Sequence, residues 1–485
     1  MPADSEFSAI PERSLVPRNL IVIVADTLRH PRYFDGGGGA ASMPFLESVQ
    51  REATSLDRLI ASSSWTCPSH ASLLTGVDPW NTHFYLSKIR HSTPDIPSLA
   101  DRWRERGGRS MAFSENFLVA PELGTAPGYD AYNPGLFARM AGKIQQGVTT
   151  LGYERVLHRV ERRRLQPGAG TSARTAARAV EFLGTGIYQT INSMRSGVAL
   201  NGALRRSLRD RRDRQPLHLF LNFGEAHEPY FSGGPTGAGS GDIGRIPSIN
   251  FARHTDYLAP AGEGPRFLAA YMRSVRILDD HLRMAFETFR RAGLLENAVV
   301  LFTSDHGQSL GEHGFYGHGH YLYDELIRIP GFLLEYRDSA PVKIPPVATD
   351  WVDLRHLFDL LVSAAPDGSP LDPTKVLNES LGRRGPAASF WEGPLPRPPK
   401  GFFHSPPRSE LYRLLRVQRG DSAATLTDGL DGVPMTTLPE EGGATSDPEL
   451  VDLGRRYLAA TTNDAAAPAA LDSQVDARLK SWGYD

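Results

Sequence analysis

The sequence predicts an α/β fold: a mostly parallel central sheet flanked by helices, followed by a small α+β C-terminal subdomain. Three unbroken apolar runs, at 19–26, 217–224 and 298–304, have the composition of strands that are buried on both faces. Segments with helical periodicity lie between them, and helices that alternate with strands are typical of parallel sheets. Acidic residues or histidines end or follow each run, which places polar chemistry at one edge of the sheet.

The remaining elements of the main domain are predicted from helical spacing and from one further apolar run. In chain order, helices are expected at about 69–74, with Pro68 in the first turn, at 97–106 and at 267–292, and a strand is expected at 109–114. An arginine-rich helical insertion is expected at about 133–215. Between 151 and 214 it has 14 arginines and no lysine against five acidic residues, a local charge of +9. Such a surface suits anionic ligands, although a solvated helical face explains it as well.

The expected domain organisation is a catalytic domain at 1–365, a Pro- and Gly-rich connection at 366–400 and a small subdomain at 401–485. A Gly- and Ser-rich loop at 233–244 follows the second predicted strand, where it could cover a site. No internal repeat is evident.

Composition limits the class of protein. The chain has 485 residues, 40% hydrophobic and 22% charged, with a formal net charge of -2, and these values are ordinary for a globular enzyme and indicate no nucleic-acid partner. Its single cysteine, Cys67, excludes an intramolecular disulfide. Neither a signal-peptide core nor an uncharged apolar stretch of about 18 residues occurs, so no transmembrane segment is predicted and a cytoplasmic location is expected.

Three residues at the predicted strand ends, Asp26, Asp305 and His306, are suited to bind one divalent metal ion. The mixed carboxylate and imidazole set favours Zn or Mn and does not exclude Mg or Ca. Thr66 lies just ahead of a predicted helix N-terminus, where backbone N–H groups favour an anion. Its hydroxyl is placed to attack a phosphorus or sulfur centre if a metal activates it, and the alternative interpretation is a helix-capping threonine.

Four blocks of sequence resemble the sulfatase family of the alkaline phosphatase superfamily. They are VADTLR at 24–29, WTCPSHASLLTG at 65–76, NFGEAHEPY at 222–230 and FTSDHGQSLGEHGFYGHGHYLYDELIRIP at 302–330. Their order and spacing resemble those of the family, and SELYRLLR at 409–416 resembles its terminal subdomain. The resemblance implies an alkaline-phosphatase-like fold and a metal-dependent enzyme.

The register of WTCPSHASLLTG decides which residue is the nucleophile. Sulfatases proper use a cysteine that is converted to formylglycine, in the pattern Cys-x-Pro-Ser-Arg. Aligned backwards from Gly76, the nucleophile position falls on Thr66, Cys67 takes the variable position, and His70 stands in place of the arginine. Conversion of Cys67 to formylglycine is therefore not expected. Relatives with threonine at this position handle phosphoryl groups, which favours phosphate over sulfate esters.

The resemblance also implies roles for individual residues. The expected metal ligands are Asp26, Thr66, Asp305 and His306. The expected substrate contacts are Arg29, His70, His227 and His318. The expected catalytic groups are Thr66 as the nucleophile, His227 against the transferred group, and His318 against substrate oxygens or the leaving group.

The predicted function is a metal-dependent hydrolase or transferase of phosphate mono- or diesters, phosphonate esters included, acting through a covalent threonine intermediate on a small anionic substrate. Two alternatives stay open: a sulfatase that uses unmodified Thr66, and a catalytically degenerate anion-binding or scaffold protein. A second metal ion is a further open alternative, through His313, His318 or His320. The Asp-x-x-x-His spacing of two-zinc relatives does not occur at 225–227.

Overall fold

A computed structural model shows a central sheet with helices on both faces and a second, antiparallel sheet. The described residues are 18–34, 43–82, 84–85, 88–89, 96–116, 118–134, 197–209, 211, 215–228, 230, 264–314, 316–319, 321–364, 366, 370–394, 411–429, 436–438 and 447–460. Most of the predicted arginine-rich insertion and all of the predicted loop at 233–244 lie outside the described residues. No helix in the described ranges is long and apolar enough to cross a membrane.

The helices and strands have the following bounds. The helices are Pro44–Arg51 (α1), Thr66–Thr75 (α2), Leu99–Glu105 (α3), Gly197–Arg209 (α4), Gly264–Arg291 (α5), Asp324–Ile327 (α6), Leu354–Ser363 (α7), Pro373–Arg384 (α8) and Pro448–Ala460 (α9). The strands are Asn19–Ala25 (β1), Thr54–Ser55 (β2), Leu59–Ile60 (β3), Phe84–Tyr85 (β4), Lys88–Ile89 (β5), Arg109–Ser114 (β6), Ala131–Pro134 (β7), Leu217–Phe223 (β8), Asn297–Thr303 (β9), Ser309–Leu310 (β10), Tyr316–Gly317 (β11), Gly331–Arg337 (β12), Ala340–Val342 (β13), Val352–Asp353 (β14), Ala387–Pro394 (β15), Leu411–Arg419 (β16), Ser422–Gly429 (β17) and Thr436–Leu438 (β18).

The central sheet has the strand order β13-β12-β9-β1-β8-β6-β7, with β2 paired to β12. The five strands from β9 to β7 are parallel. At the other edge, β12 pairs antiparallel with β9, and β13 pairs antiparallel with β12. The predicted α/β class with a mostly parallel sheet is therefore confirmed, and the three predicted buried strands are β1, β8 and β9.

The centre of the sheet is buried on both faces because side chains alternate across a strand. Leu20 and Val22 of β1 pack with the apolar residues of α2 and α7 on one face. Ile21 and Ile23 pack with those of α5 on the other. Strand β1 is buried along its whole length, so the residue that follows it, Asp26, is held at the carboxyl edge of the sheet by a rigid core.

Helix α2 begins earlier than the sequence predicts. Thr66 is its first residue, Trp65 is the N-cap, and Pro68 lies within the first turn. The first N–H groups of a helix have no intrahelical partner, so a proline there interrupts no hydrogen bond. Thr66 is therefore part of the first helical turn rather than a residue ahead of it.

The segment at 366–400, predicted as a connection, contains α8 and β15 instead. Asp372 caps α8, Pro373 is its first residue, and Gly385 with φ 81° ends it. Proline is common at the start of a helix and glycine just after its end. A short capped helix therefore contains the same residue types as a linker. The predicted domain boundaries stay predictions.

The second sheet has the order β15-β16-β17-β18 and is antiparallel. Its apolar face packs against α9 through residues such as Leu426 and Leu458. The sheet also contacts the main domain, because the backbone N–H of Phe390 donates to the carbonyl of Ser62 at 2.9 Å. This contact lies close in sequence to the start of α2.

Candidate functional site

Two neighbouring parallel strands bring the predicted metal ligands together. Asp26 follows β1, and Asp305 and His306 stand just beyond β9. One ligand atom of each residue lies within 4.8 Å of the others. All three side chains are fully buried, so the sheet edge forms a compact, mixed carboxylate and imidazole group.

The Thr66 hydroxyl faces this group from the first turn of α2. Its Oγ1 lies 3.5 Å from Nε2 of His306 and 3.4 Å from Nδ2 of Asn116. Nδ1 of His306 contacts the carbonyl oxygen of Gly307 at 2.8 Å. A ring nitrogen that faces a carbonyl carries the hydrogen, so Nε2 is the atom that can act as a metal ligand or as a proton acceptor for Thr66.

Backbone geometry fixes the carboxylate of Asp305. Its Oδ1 accepts hydrogen bonds from the N–H groups of Thr27 at 3.1 Å and His306 at 2.9 Å. Thr27 has φ 59°, a left-handed conformation that is unusual for a β-branched residue. Backbone strain of this kind persists where the surrounding structure enforces it and is typical of functional sites.

The two carboxylates fit a bound cation. Within the described residues, Oδ1 of Asp26 and Oδ2 of Asp305 are buried and accept no hydrogen bond. Burial raises the pKa of Asp26 to about 6, with the charge of Asp305 adding to the effect, and burial raises the pKa of Asp305 to about 7. Buried anionic oxygens without donors are unfavourable unless a cation compensates them, so the residues present suit a divalent metal ion.

Asn116 is a site residue that the sequence did not reveal. It stands two residues beyond β6, which runs parallel to β8 and ends at the same edge of the sheet. Its Nδ2 donates to Oδ2 of Asp26 at 2.7 Å, and its Oδ1 accepts from the N–H of Leu118 at 2.9 Å. The second bond fixes the orientation of the amide, so Asn116 connects Asp26 with Thr66.

His70 lies in the protein interior beneath Thr66. Its Nδ1 is 3.0 Å from the carbonyl oxygen of Thr66 and 3.5 Å from Oδ2 of Asp305. Nδ2 of Asn222 donates to its Nε2 at 3.3 Å. Burial lowers the pKa of His70 to about 3, so the ring is neutral and Nδ1 carries the hydrogen. These are the contacts of a positioning residue, and the predicted anion contact of His70 stays a prediction.

A second group of possible ligands adjoins the first. His227 and Glu228 follow β8 and His318 follows β11, and a ligand atom of each lies within 4.8 Å of the others. The ring of His318 is 4.8 Å from that of His227 and 4.6 Å from that of His306, measured between centroids. The structure therefore brings both predicted catalytic histidines to the metal-ligand group, and it adds Glu228, which the sequence did not reveal.

The residues from β1 to α7 also match a known family. The family model described as Sulfatase matches residues 18–356. The chain belongs to the sulfatase family. Its place in the alkaline phosphatase superfamily and its fold are thereby confirmed, and the matched region holds both ligand groups and Thr66.

Several curated sulfatases are similar to this chain. A sulfatase of Formosa agariphila is 24% identical over 295 residues, which is 55% of this chain and 54% of that protein. A choline-sulfatase of Rhizobium meliloti is 22% identical over 323 residues, 61% of this chain and 59% of that protein. The chain thus spans little more than half the length of these relatives. Among solved structures, the 2-O GAG sulfatase BT1596 has a TM-score of 0.52 at 13% identity, and the match covers 95% of this chain and 96% of that one. At this identity the similarity concerns the fold alone.

Two other sequence candidates, Arg29 and His313, do not belong to either ligand group of the described residues. Arg29 is buried and pairs through Nη2 with Glu312. Nε2 of His313 lies 3.6 Å from Oε1 of Glu325. His320 lies outside the described residues. The substrate contact predicted for Arg29 and the metal contacts predicted for His313 and His320 stay predictions.

Cys67 is fully buried among the apolar side chains of this sulfatase-family core. Burial raises the pKa of its thiol well above the ordinary value, and the nearby carboxylates of Asp26 and Asp305 raise it further. A thiol in this environment stays protonated and is a poor nucleophile. Thr66, whose hydroxyl faces the ligand group, is the better candidate.

Proposed function

We propose that this chain is a metal-dependent hydrolase or transferase of phosphate mono- or diesters, phosphonate esters included, that forms a covalent intermediate on Thr66. The observation that carries the proposal is the position of the Thr66 hydroxyl, 3.5 Å from Nε2 of His306 in the first turn of α2. Family membership supports the more general part of this proposal, namely that the protein is an enzyme acting on sulfate or phosphate esters. An unmodified threonine as nucleophile favours phosphate.

The proposed ligands of one divalent ion are Asp26, Asp305, His306 and the Thr66 hydroxyl. The mixed donor set favours Zn or Mn and does not exclude Mg or Ca. Such an ion lowers the pKa of a coordinated hydroxyl and offsets negative charge on the oxygens of the transferred group. His306 would present Nε2 to the ion, because its Nδ1 is bonded to the Gly307 carbonyl.

The chain's own residues supply the rest of the chemistry. Thr66 Oγ1 attacks the phosphorus atom in line, its proton leaves to a neighbouring base, and the bond to the leaving oxygen breaks as that oxygen takes up a proton. The N-terminal N–H groups of α2 stabilise the anionic phosphothreonine. Water or an acceptor hydroxyl then attacks the same phosphorus atom, the bond to Oγ1 breaks, and Thr66 regains its proton. His227 and His318, whose rings lie beside His306, would contact the oxygens of the transferred group or the leaving group.

A sulfuric ester hydrolase that uses unmodified Thr66 is the second candidate, and the names of the curated relatives favour it. Sulfate and phosphate esters share a tetrahedral anionic centre, so the same nucleophile and metal suit both. A degenerate anion-binding protein is less compatible with two buried carboxylate oxygens that lack a hydrogen bond within the described residues.

The test is a paired assay of metal-loaded protein against aryl phosphate, aryl phosphodiester, aryl phosphonate and aryl sulfate esters, with the Thr66→Ala and Cys67→Ala variants. Phosphoryl turnover that is lost in Thr66→Ala and kept in Cys67→Ala agrees with the proposal. Turnover of the sulfate ester alone favours the second candidate. No bound metal and no turnover of any ester favour the degenerate protein.

A further inference from the structure

The chain makes a strained turn directly after β1. The N–H of Leu28 donates to the carbonyl of Ala25 at 3.1 Å, which closes a four-residue turn around Asp26 and Thr27. Thr27 has φ 59°, a conformation that is unfavourable for a β-branched residue and that glycine adopts readily. The turn therefore needs support from the surrounding structure to keep this shape.

The conformation of Thr27 matters because its N–H orients Asp305. This N–H donates to Oδ1 of Asp305 at 3.1 Å. Oδ2 of the same carboxylate accepts no hydrogen bond from any residue in the described ranges, so it is the oxygen that suits a cation. Asp26 belongs to the turn itself, so a change in the turn would shift the carboxylates of both proposed ligands relative to each other.

The support for the turn comes from Tyr271 in α5. Its hydroxyl donates to the carbonyl of Thr27 at 3.1 Å and accepts from the N–H of Arg29 at 2.8 Å. These two bonds hold the backbone on both sides of Leu28. Tyr271 is fully buried, and burial raises the pKa of its phenol well above the ordinary value. The hydroxyl therefore keeps the hydrogen that it donates.

Neighbouring aromatic rings fix the direction of the Tyr271 side chain. Its ring meets that of Tyr230 edge-on, with centroids 5.5 Å apart at 90°, and lies 6.1 Å from that of Phe34. The hydroxyl of Tyr230 accepts from Nε2 of Gln308 at 2.7 Å, and Oε1 of Gln308 lies 2.7 Å from Nδ1 of His318. Tyr271 therefore packs between the turn after β1 and the residues that orient His318.

We propose that Tyr271 is a positioning residue for the group formed by Asp26, Asp305 and His306. Its hydroxyl holds Thr27 in the conformation that directs the Thr27 N–H to Asp305. The inference rests on the proposed function, because it treats Asp26 and Asp305 as metal ligands. It places part of the origin of their geometry in α5, which contributes no residue to either ligand group found in the described ranges.

Calorimetric titration of Mn²⁺ into the chelator-stripped full chain tests this role without turnover. Tyr271→Phe keeps the ring and removes the hydroxyl, and we expect it to raise the Kd for Mn²⁺ by about 10- to 100-fold, as for other groups that orient metal ligands. The matched control is Tyr129→Phe, which removes a hydroxyl that contacts Nε2 of His218 at 2.9 Å. His218 pairs with Leu20 near the start of β1, so this variant is expected to keep the Kd of the wild type.

Hydrogen exchange of the metal-free full chain measures the turn itself. In the wild type, the N–H groups of Thr27 and Arg29 are expected to exchange as slowly as those of β1. In Tyr271→Phe we expect the N–H groups of residues 27–29 to exchange at least about tenfold faster, because a buried N–H and a buried carbonyl lose their partner. Peptides from β8 and β9 are expected to exchange as in the wild type, which separates a local change from a general loss of stability.

The outcomes separate this inference from the proposed function. Rapid exchange at Thr27 and Arg29 in the wild type overturns the inference without any variant, and so does unchanged exchange in Tyr271→Phe. A Kd that stays at the wild-type value in Tyr271→Phe, or that rises equally in Tyr129→Phe, also overturns it. In each of these cases the proposed function stands as long as the wild type binds Mn²⁺. If the wild type binds none, both fall.

Discussion

Oγ1 of Thr66 lies 3.5 Å from Nε2 of His306, although 240 residues separate them in the sequence. The contact exists because α2 starts at Thr66 and its first turn points at the carboxyl end of β9. It places a hydroxyl that is a poor nucleophile by itself next to the proposed ligands of a metal ion that would activate it.

Removal of the Thr66 hydroxyl is expected to abolish turnover. We expect Thr66→Ala to lower kcat by at least about 1,000-fold, the scale of losing a covalent nucleophile. Cys67→Ala is the neighbouring control and is expected to keep kcat within a few-fold while losing stability from a small buried cavity. Steady-state kinetics on an aryl phosphate check both, and activity that depends on Cys67 rather than Thr66 contradicts the assignment.

Asn116 is expected to matter through Asp26 and Thr66. Asn116→Ala removes the donor to Oδ2 of Asp26 and is expected to lower metal affinity or kcat by about 10- to 100-fold, as for other residues that orient metal ligands. Asn201→Ala is a matched control, because that buried amide bonds only to the carbonyls of Gly197 and His281 among the described residues. Equal kinetic effects of the two substitutions would argue against a role for Asn116 in the site.

The buried carboxylates predict how the stability of the metal-free protein depends on pH. Burial raises the pKa of Asp26 to about 6 and that of Asp305 to about 7. The folded protein therefore holds these protons more tightly than the unfolded chain does. Their stabilising contribution is complete below about pH 4 and is lost as the pH rises through about 6 to 7.

Urea unfolding in the presence of a chelator measures this dependence. We expect the free energy of unfolding of the wild type to fall from about pH 5 to about pH 8 relative to that of Asp305→Asn, which lacks one of the titrating carboxyls. Metal added at about pH 8 is expected to restore stability, because protons no longer compete for the ligands. Parallel pH profiles for wild type and Asp305→Asn would refute the prediction.

The antiparallel sheet is expected to support His318. The indole N–H of Trp391 in β15 donates to the carbonyl of Gly319 at 2.8 Å, directly after His318. Trp391→Phe removes this donor and is expected to lower kcat with a smaller effect on KM. Trp351→Phe is the matched control, because its indole donates to the carbonyl of Gly420 at 2.7 Å, in the turn between β16 and β17.

Both tryptophan substitutions are expected to cost stability on the scale of a lost hydrogen bond, about 1 to 3 kcal/mol. Only Trp391→Phe is expected to change the kinetics. If both variants lose activity in proportion to their loss of stability, the sheet does not position His318.

The sequence predicted the parts of the site that follow from strand ends. Buried runs mark β1 and β9, so the position of Asp26 beside Asp305 follows from parallel pairing. The same logic applied to the strand at 109–114 would have drawn attention to Asn116. It was missed because an asparagine after a strand is also an ordinary turn residue.

Other features of the site depend on long-range contacts that no local sequence pattern indicates. The bond between Trp391 and Gly319 joins residues 72 apart, and neither neighbourhood has a periodicity that indicates it. The elements between 366 and 400 were missed because residues such as Pro373 and Gly385 are as typical of a linker as of helix ends. The structure shows that Asp372 caps a helix there. Glu228 was missed because a carboxylate is unexpected in a site for an anionic ester. Its contacts with Gln308 and His318 show that it lies beside the predicted catalytic histidines.

Mass spectrometry of the trapped intermediate tests the central claim most directly. Metal-loaded protein is quenched in acid during turnover of an aryl phosphate, digested, and sequenced through the peptide that contains Thr66 and Cys67. We predict an adduct with the accurate mass of a phosphoryl group on Thr66, and an unmodified Cys67. An adduct on another residue, or a formylglycine at position 67, would contradict the account.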